Sequence, residues 1–207
     1  MKGLEERDPR SGRWVLYRSQ VEHSRDCEQY PYEIIPSRVF LDTNVVNALV
    51  KHAAHIFEQE PLIDGLHQTM AHDVEALMHV FQIGSRANWE LVASSKTLEE
   101  ISQTPIEDLR ETLMDYAVEI AVCSGEAADF ALDLGRRIVG SNFLDMLPDR
   151  NDRELLAHAI GLQCDVFCTC DRSTIIRRRD RLPKLPIRVL TPVEWWLHVK
   201  PWAGLWC

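Results

Sequence analysis

The chain has 207 residues, 45% of them hydrophobic, enough for one well-buried core and few for two. Its 32 acidic residues outnumber 23 basic ones, and the formal charge of -9 excludes a protein that holds nucleic acid chiefly through a diffuse positive field. With no run of 18 apolar residues and a charged N-terminus, neither a membrane span nor a signal peptide is expected; the expected compartment is cytoplasmic, and the six cysteines read as buried thiols.

Residues 1–37 read as an extension. Their charges nearly cancel, Trp14, Tyr17, Tyr30 and Tyr32 supply aromatic surface, and Pro9, Pro31 and Pro36 interrupt regular structure, so an irregular or partly stranded segment laid on the core is expected. Residues 39–44 then run from a β-branched and aromatic strand straight into Val45, Val46, Leu49 and Val50 at helical spacing. Asp42 thus stands at the carboxyl end of a parallel strand, where ligands gather in open α/β sheets, although an acid there also suits a helix cap. Leu62, Ile63, Leu66, Met70, Val74, Leu77 and Phe81 recur every three or four residues and predict an amphipathic helix over 62–81. The histidines of this region (His52, His55, His67, His72 and His79) lack the acid or cysteine spacing of a zinc site and read as structural or solvated.

Residues 89–95 predict a second strand, and 97–101 a short helix in which Thr97 and Glu100 form a capping box. A helix over 105–116 has Pro105 at its first turn, an alternating apolar stretch predicts a third strand over 117–123, and a helix over 126–139 closes at Gly140. Asn151 and Glu154 read as a second capping box, opening a helix through Leu155, Leu156, Ala159 and Ile160. That leaves Asp152 free of capping and on the core-facing stripe, where a carboxylate must be paired, protonated or bound to a cation. Residues 165–170 predict a fourth strand ending at Asp171, residues 187–190 a fifth, and Thr191 with Pro192 the start of a last helix. Strands alternating with helices predict an α/β fold, a doubly wound parallel sheet of five strands with helices on both faces. It would span 38–194, followed by a Trp-rich tail over 195–207.

Four acids stand at strand ends or helix starts: Asp42, Glu100, Asp152 and Asp171. If strands one and four are neighbours, Asp42 and Asp171 emerge side by side and the helix-borne acids lean over them. Two carboxylates about 4 Å apart repel by several kcal/mol at the effective dielectric of a protein surface, so such a cluster needs a counter-charge. Several hard oxygen ligands without cysteine or histidine select Mg²⁺ or Mn²⁺, ions that suit phosphodiester hydrolysis.

Phe40-Leu41-Asp42-Thr43-Asn44, an acid before an aliphatic at Glu100-Ile101, Asn151-Asp152 opening an apolar helix, and Cys168-Thr169-Cys170-Asp171, in that order, resemble the signature of the PIN-domain nucleases over about residues 39–194. The resemblance implies a sheet of order 3-2-1-4-5 and a Mg²⁺- or Mn²⁺-dependent endoribonuclease acting on single-stranded RNA, leaving 5′-phosphate and 3′-hydroxyl ends. It implies catalytic and metal-binding roles for Asp42, Glu100, Asp152 and Asp171, with Asn44 orienting the Asp42 carboxylate and the Thr169 hydroxyl a neighbouring acid. Many such proteins are toxins held by an antitoxin and others process RNA, so an inhibitor protein is an expected partner; the chain is longer than the compact toxins. Two assignments stay open: Glu99 adjoins Glu100, and Asp149, one turn before Asp152, could share or replace its role. The alternative is a non-catalytic PIN-fold module that binds RNA or protein. A small-molecule phosphohydrolase would carry a Gly-rich phosphate loop after strand one, where Asp-Thr-Asn stands instead.

Between Asp171 and Arg188 the chain concentrates Arg172, Arg177, Arg178, Arg179, Arg181 and Lys184, a candidate rim for RNA phosphates or, equally, a solvated face; Arg172, Arg177 and Arg178 lead it. Cys168 and Cys170 read as small hydrophobes of a buried strand, and His158 as structural. Trp195, Trp196, Trp202 and Trp206 predict core cover or the interface of a homo-oligomer.

Overall fold

The computed structural model describes residues 6–7, 14–87, 89–120 and 125–205. The extension contains a short antiparallel pair, β1 (Glu6–Arg7) and β2 (Trp14–Val15), and a helix α1 (Gln20–Gln29), where the Ser19 hydroxyl accepts from the Glu22 amide. Then come β3 (Arg38–Leu41), α2 (Thr43–Lys51), α3 (Ala53–Glu58), α4 (Gln68–Ala87), β4 (Glu90–Val92) and α5 (Ser95–Ser102). The second half runs through α6 (Glu107–Ile120), α7 (Gly125–Gly140), α8 (Arg150–Gly161), β5 (Val166–Cys168), a 3₁₀ segment (Ile176–Arg181), β6 (Arg188–Leu190), α9 (Pro192–Val199) and a 3₁₀ turn (Lys200–Leu205).

β3 to β6 form a parallel sheet of order β4-β3-β5-β6, with Phe40 opposite Val92 and Phe167, and Phe167 opposite Val189. Asp165 fixes the register at the entry edge. Its carboxylate accepts from the Ser37 hydroxyl at 2.6 Å and from the Ser37 and Arg38 amides at 2.9 Å. The side chains alternate as the pleat requires. Val39, Leu41, Val166, Cys168 and Leu190 pack one face against α2, α4, α6 and α9, while Phe40, Val92, Phe167 and Val189 pack the other against α8, Leu144, Leu147 and Ile175. Helices on both faces explain why β3 and β5 lack polar residues within their buried spans.

Among the described residues the parallel sheet has four strands, not the five expected. Residues 117–120 of the expected third strand belong to α6, and 121–123 lie outside the described residues. The reason is periodic: Leu109, Leu113 and Ala117 stand four apart, with Leu113 and Ala117 fully buried, so the helical stripe continues through a stretch that also alternates. The helix expected from 62 begins at Gln68 instead, after Pro61 and after Gly65, whose φ of +86° a helix cannot accommodate.

The extension is tied to the end of the chain. The Trp202 indole donates to the Tyr30 carbonyl at 2.8 Å, a His23 ring nitrogen lies 3.0 Å from the Pro201 carbonyl, and Tyr32 meets Trp202 edge to face. α9 crosses the boundary expected at 194/195, and its Trp195 and Trp196 are buried in the core. Trp206 lies outside the described residues.

Candidate active site

β3 ends at Leu41 and the chain turns at once into α2, so Asp42 is delivered to the carboxyl edge of the sheet beside Thr169, which follows the neighbouring β5. Asp42 occupies the N-cap position but makes no side-chain cap bond. Its Oδ2 instead accepts from the Thr169 hydroxyl at 2.6 Å and from the Asn44 amide at 2.5 Å. Asn44 Oδ1 in turn accepts from the Cys170 amide at 2.8 Å, locking α2 to the end of β5. Asp42 is 3% exposed. Burial, opposed by the Thr169 bond and reinforced by the like charges of Asp152 and Glu100, pushes its carboxyl up to about 7.

The two helix-borne acids are freed by caps that differ from those expected. α5 starts two residues early, with Ser94 and Thr97 as its reciprocal capping pair, so Glu100 is released and accepts from the Thr43 hydroxyl at 2.6 Å. Glu99 faces Lys96 and is largely exposed. α8 is capped by Asp149, whose Oδ1 accepts from the Asn151 amide at 2.8 Å, not by Asn151. Glu154, the expected cap partner, is instead gripped by Arg150 at 2.8 Å.

Asp152 and Asp171 share one hydroxyl. Thr174 Oγ1 lies 3.0 Å from Asp152 Oδ2 and also contacts Asp171 Oδ2, while Asp171 Oδ1 accepts from the Ser173 and Thr174 amides and the Ser173 hydroxyl. Burial, opposed by the Thr174 bond and reinforced by the charges of Asp149, Asp171 and Glu100, pushes Asp152 up to about 6. Burial alone would raise Asp171 too, but its bonds to Thr174 and Ser173 hold it below the usual carboxylate value. One hydroxyl proton cannot serve two carboxylates at once, so positive charge is favoured between them.

Thus Asp42, Glu100 and Asp152, from three separate elements, feel one another's charge, and Asp171 joins them through Asp152. None is ion-paired to a Lys or Arg among the described residues. The donor set is all oxygen, two of its members are raised in pKa, and one hydroxyl is over-subscribed; in chemistry it fits a hard divalent cation. Among the described residues, however, no three His, Cys, Asp or Glu side chains stand close enough together to hold a metal ion.

The basic residues after Asp171 divide by partner. Arg172 forks onto Asp73, a fully buried acid of α4, with Nη2 at 2.8 Å from Oδ1 and Nη1 on Oδ2. Arg178 donates to the Ser173 and Thr174 carbonyls at 3.1 and 3.3 Å, bracing the loop that carries Asp171, and Arg179 forks onto Glu194 at 2.6 Å. Arg177 is exposed. Sequence reasoning missed Thr43, Thr174 and Asp73. Asp-Arg-Ser-Thr is a legible Asx-turn, and Thr43 adjoins Asp42, but nothing local marks Asp73 as the partner of Arg172.

No family model matches the chain, and no curated protein matches it. A solved structure described as VapBC2 from Rickettsia felis bound to a DNA fragment from their promoter overlaps 74% of this chain and 98% of that chain, at 15% identity and a TM-score of 0.39. At that level of likeness the overlap assigns no family.

Proposed function

We propose that the chain is a PIN-type endoribonuclease that hydrolyses phosphodiester bonds of single-stranded RNA with Mg²⁺ or Mn²⁺. The observation that carries this reading is the charge coupling among four carboxylates from four elements at the carboxyl edge of a parallel sheet, with no Lys or Arg ion-paired to them among the described residues. Asp42, Glu100, Asp152 and Asp171 would hold the ion, which when bound polarises the phosphoryl oxygen and lowers the pKa of the attacking water. Thr169 and Asn44 aim Asp42 by holding its Oδ2, and Ser173 and Thr174 aim Asp171. An inhibitor protein, as for a toxin, belongs to the same proposal and rests on the motif resemblance alone.

A second reading, a non-catalytic binding module, is favoured by one observation: each acid already accepts from a hydroxyl or amide, and no three of the described His, Cys, Asp and Glu side chains are grouped to hold an ion. End-labelled single-stranded RNA incubated with the protein in Mn²⁺, Mg²⁺ or EDTA, beside an Asp42→Asn/Asp171→Asn variant, decides between them. Metal-dependent cutting that the variant abolishes supports the nuclease. Absence of both cutting and Mn²⁺ binding, the latter read by water-proton relaxation, leaves the binding module.

A further inference from the structure

Asp73 is an acid on the buried side of a helix. On α4 it shares a stripe with Ala76, Leu77 and Val80 at i+3, i+4 and i+7, and all four residues are fully buried. A carboxylate there needs a partner, and the partner comes from the loop after β5. Arg172 Nη2 donates to Asp73 Oδ1 at 2.8 Å and Nη1 to Oδ2, so one guanidinium covers both oxygens. Arg172 directly follows Asp171, one of the four acids of the candidate site.

The loop makes its own shape. Asp171 Oδ1 accepts from the Ser173 and Thr174 amides, the Asp171 carbonyl accepts from the Ile176 amide at 3.0 Å, and Arg178 donates to the Ser173 and Thr174 carbonyls. Bonds within a loop do not orient it against the rest of the molecule. Its anchors do that, and they lie on opposite faces of the sheet. Ile175, 1% exposed, enters the core on the face that α8 covers, while Arg172 is held by α4, which packs the other face. Between the two anchors stands Thr174, whose hydroxyl bonds Asp152 and Asp171. Packing alone does not require the buried pair, since apolar side chains of similar volume commonly replace such a pair without loss of stability. What they do not supply is two directional bonds in a fixed plane.

We infer that Asp73, acting through Arg172, is a positioning residue of the acid cluster: the fork fixes the turn of residues 171–174 and keeps the Asp171 carboxylate at the hydroxyl it shares with Asp152. The inference rests on reading that cluster as the cleavage site. Two variants of the full chain separate it from a packing role. Arg172→Lys keeps the charge beside Asp73 and loses the fork, and Asp73→Leu with Arg172→Met fills the same space with apolar atoms. Urea unfolding should show the paired variant as stable as the wild type; where it does not fold, Arg172→Lys decides by the same readings. In both, amide exchange followed by NMR should show Ser173 and Thr174 losing protection relative to the β5 amides. Mn²⁺ affinity, read by water-proton relaxation, should fall about ten-fold, as when a group that orients a metal ligand is lost. For single-stranded RNA in saturating Mn²⁺, kcat should fall while KM holds. Wild-type Mn²⁺ affinity and cutting in the variants overturns the inference and leaves the nuclease standing, whether or not protection changes. Lost protection in the variants, when the unaltered protein neither binds Mn²⁺ nor cuts RNA, retains the hold of Asp73 on the loop and rejects the nuclease.

Discussion

Asp42→Asn should make the metal-free protein more stable at about pH 8. The wild-type carboxyl is fully buried and raised from 3.8 to about 7, by burial first and then, against the Thr169 bond, by the charges of Asp152 and Glu100. Between those two values the folded protein keeps a proton that the unfolded chain has released. Unfolding free energy therefore falls as pH rises through the window, and the loss is complete above about pH 7. At 1.36 kcal/mol for each pH unit, the difference amounts to about 4 kcal/mol. Asparagine resembles the protonated acid, and its carbonyl oxygen can accept from both Thr169 and Asn44, the two donors that now meet at Oδ2. Urea unfolding in EDTA at intervals from about pH 4 to pH 8 should show wild-type stability falling by up to about 4 kcal/mol. The variant should show a shallower fall, because Asp152, also raised by burial, still titrates in the same direction. Mn²⁺ should restore the wild type at about pH 8 and leave the variant unmoved, since a ligand of the folded state stabilises only where it binds. Equal stability of the two proteins at about pH 8, with a flat wild-type profile, would refute the reasoning.

Arg172→Ala leaves the Asp73 carboxylate buried without its fork, and should cost about 3–5 kcal/mol in urea unfolding. Thr174→Val removes the hydroxyl shared by Asp152 and Asp171. The Asp171 pKa should then rise toward the ordinary value, as followed by carboxyl NMR, and the stability that Asp171 contributes above its unfolded pKa should diminish. Gly161→Ala places a Cβ 2.4 Å from the Ala131 carbonyl oxygen, forcing α7 away from α8; a loss of about 1–3 kcal/mol or more is expected by thermal or urea unfolding.

Much of the architecture is legible in short windows. The apolar run before Asp42 reads as a strand, and the spacing of Leu155, Leu156 and Ala159 reads as a buried helical stripe, because the periods of side-chain direction are local properties of the backbone. Residues 117–120 mislead because their alternation overlaps a helical stripe, and four residues do not separate the two periods. Caps mislead in a similar way. Ser94 and Thr97 compete with Thr97 and Glu100 for the same helix start, and Asp149 competes with Asn151, so the winning pair determines which acids are left over.

What the sequence determined by itself is therefore most of the element types, the apolar faces, and the placement of Asp42 and Asp171 beyond strands and of Asp152 in the first turn of a helix, all consequences of local periodicity. Only the tertiary structure decided that β5 lies beside β3, that the Thr169 hydroxyl reaches Asp42 across 127 positions, and that Asp73 receives Arg172 across 99. Those pairings depend on strand order and on the seating of helices against the sheet, where burial strengthens electrostatics between residues that no local spacing relates.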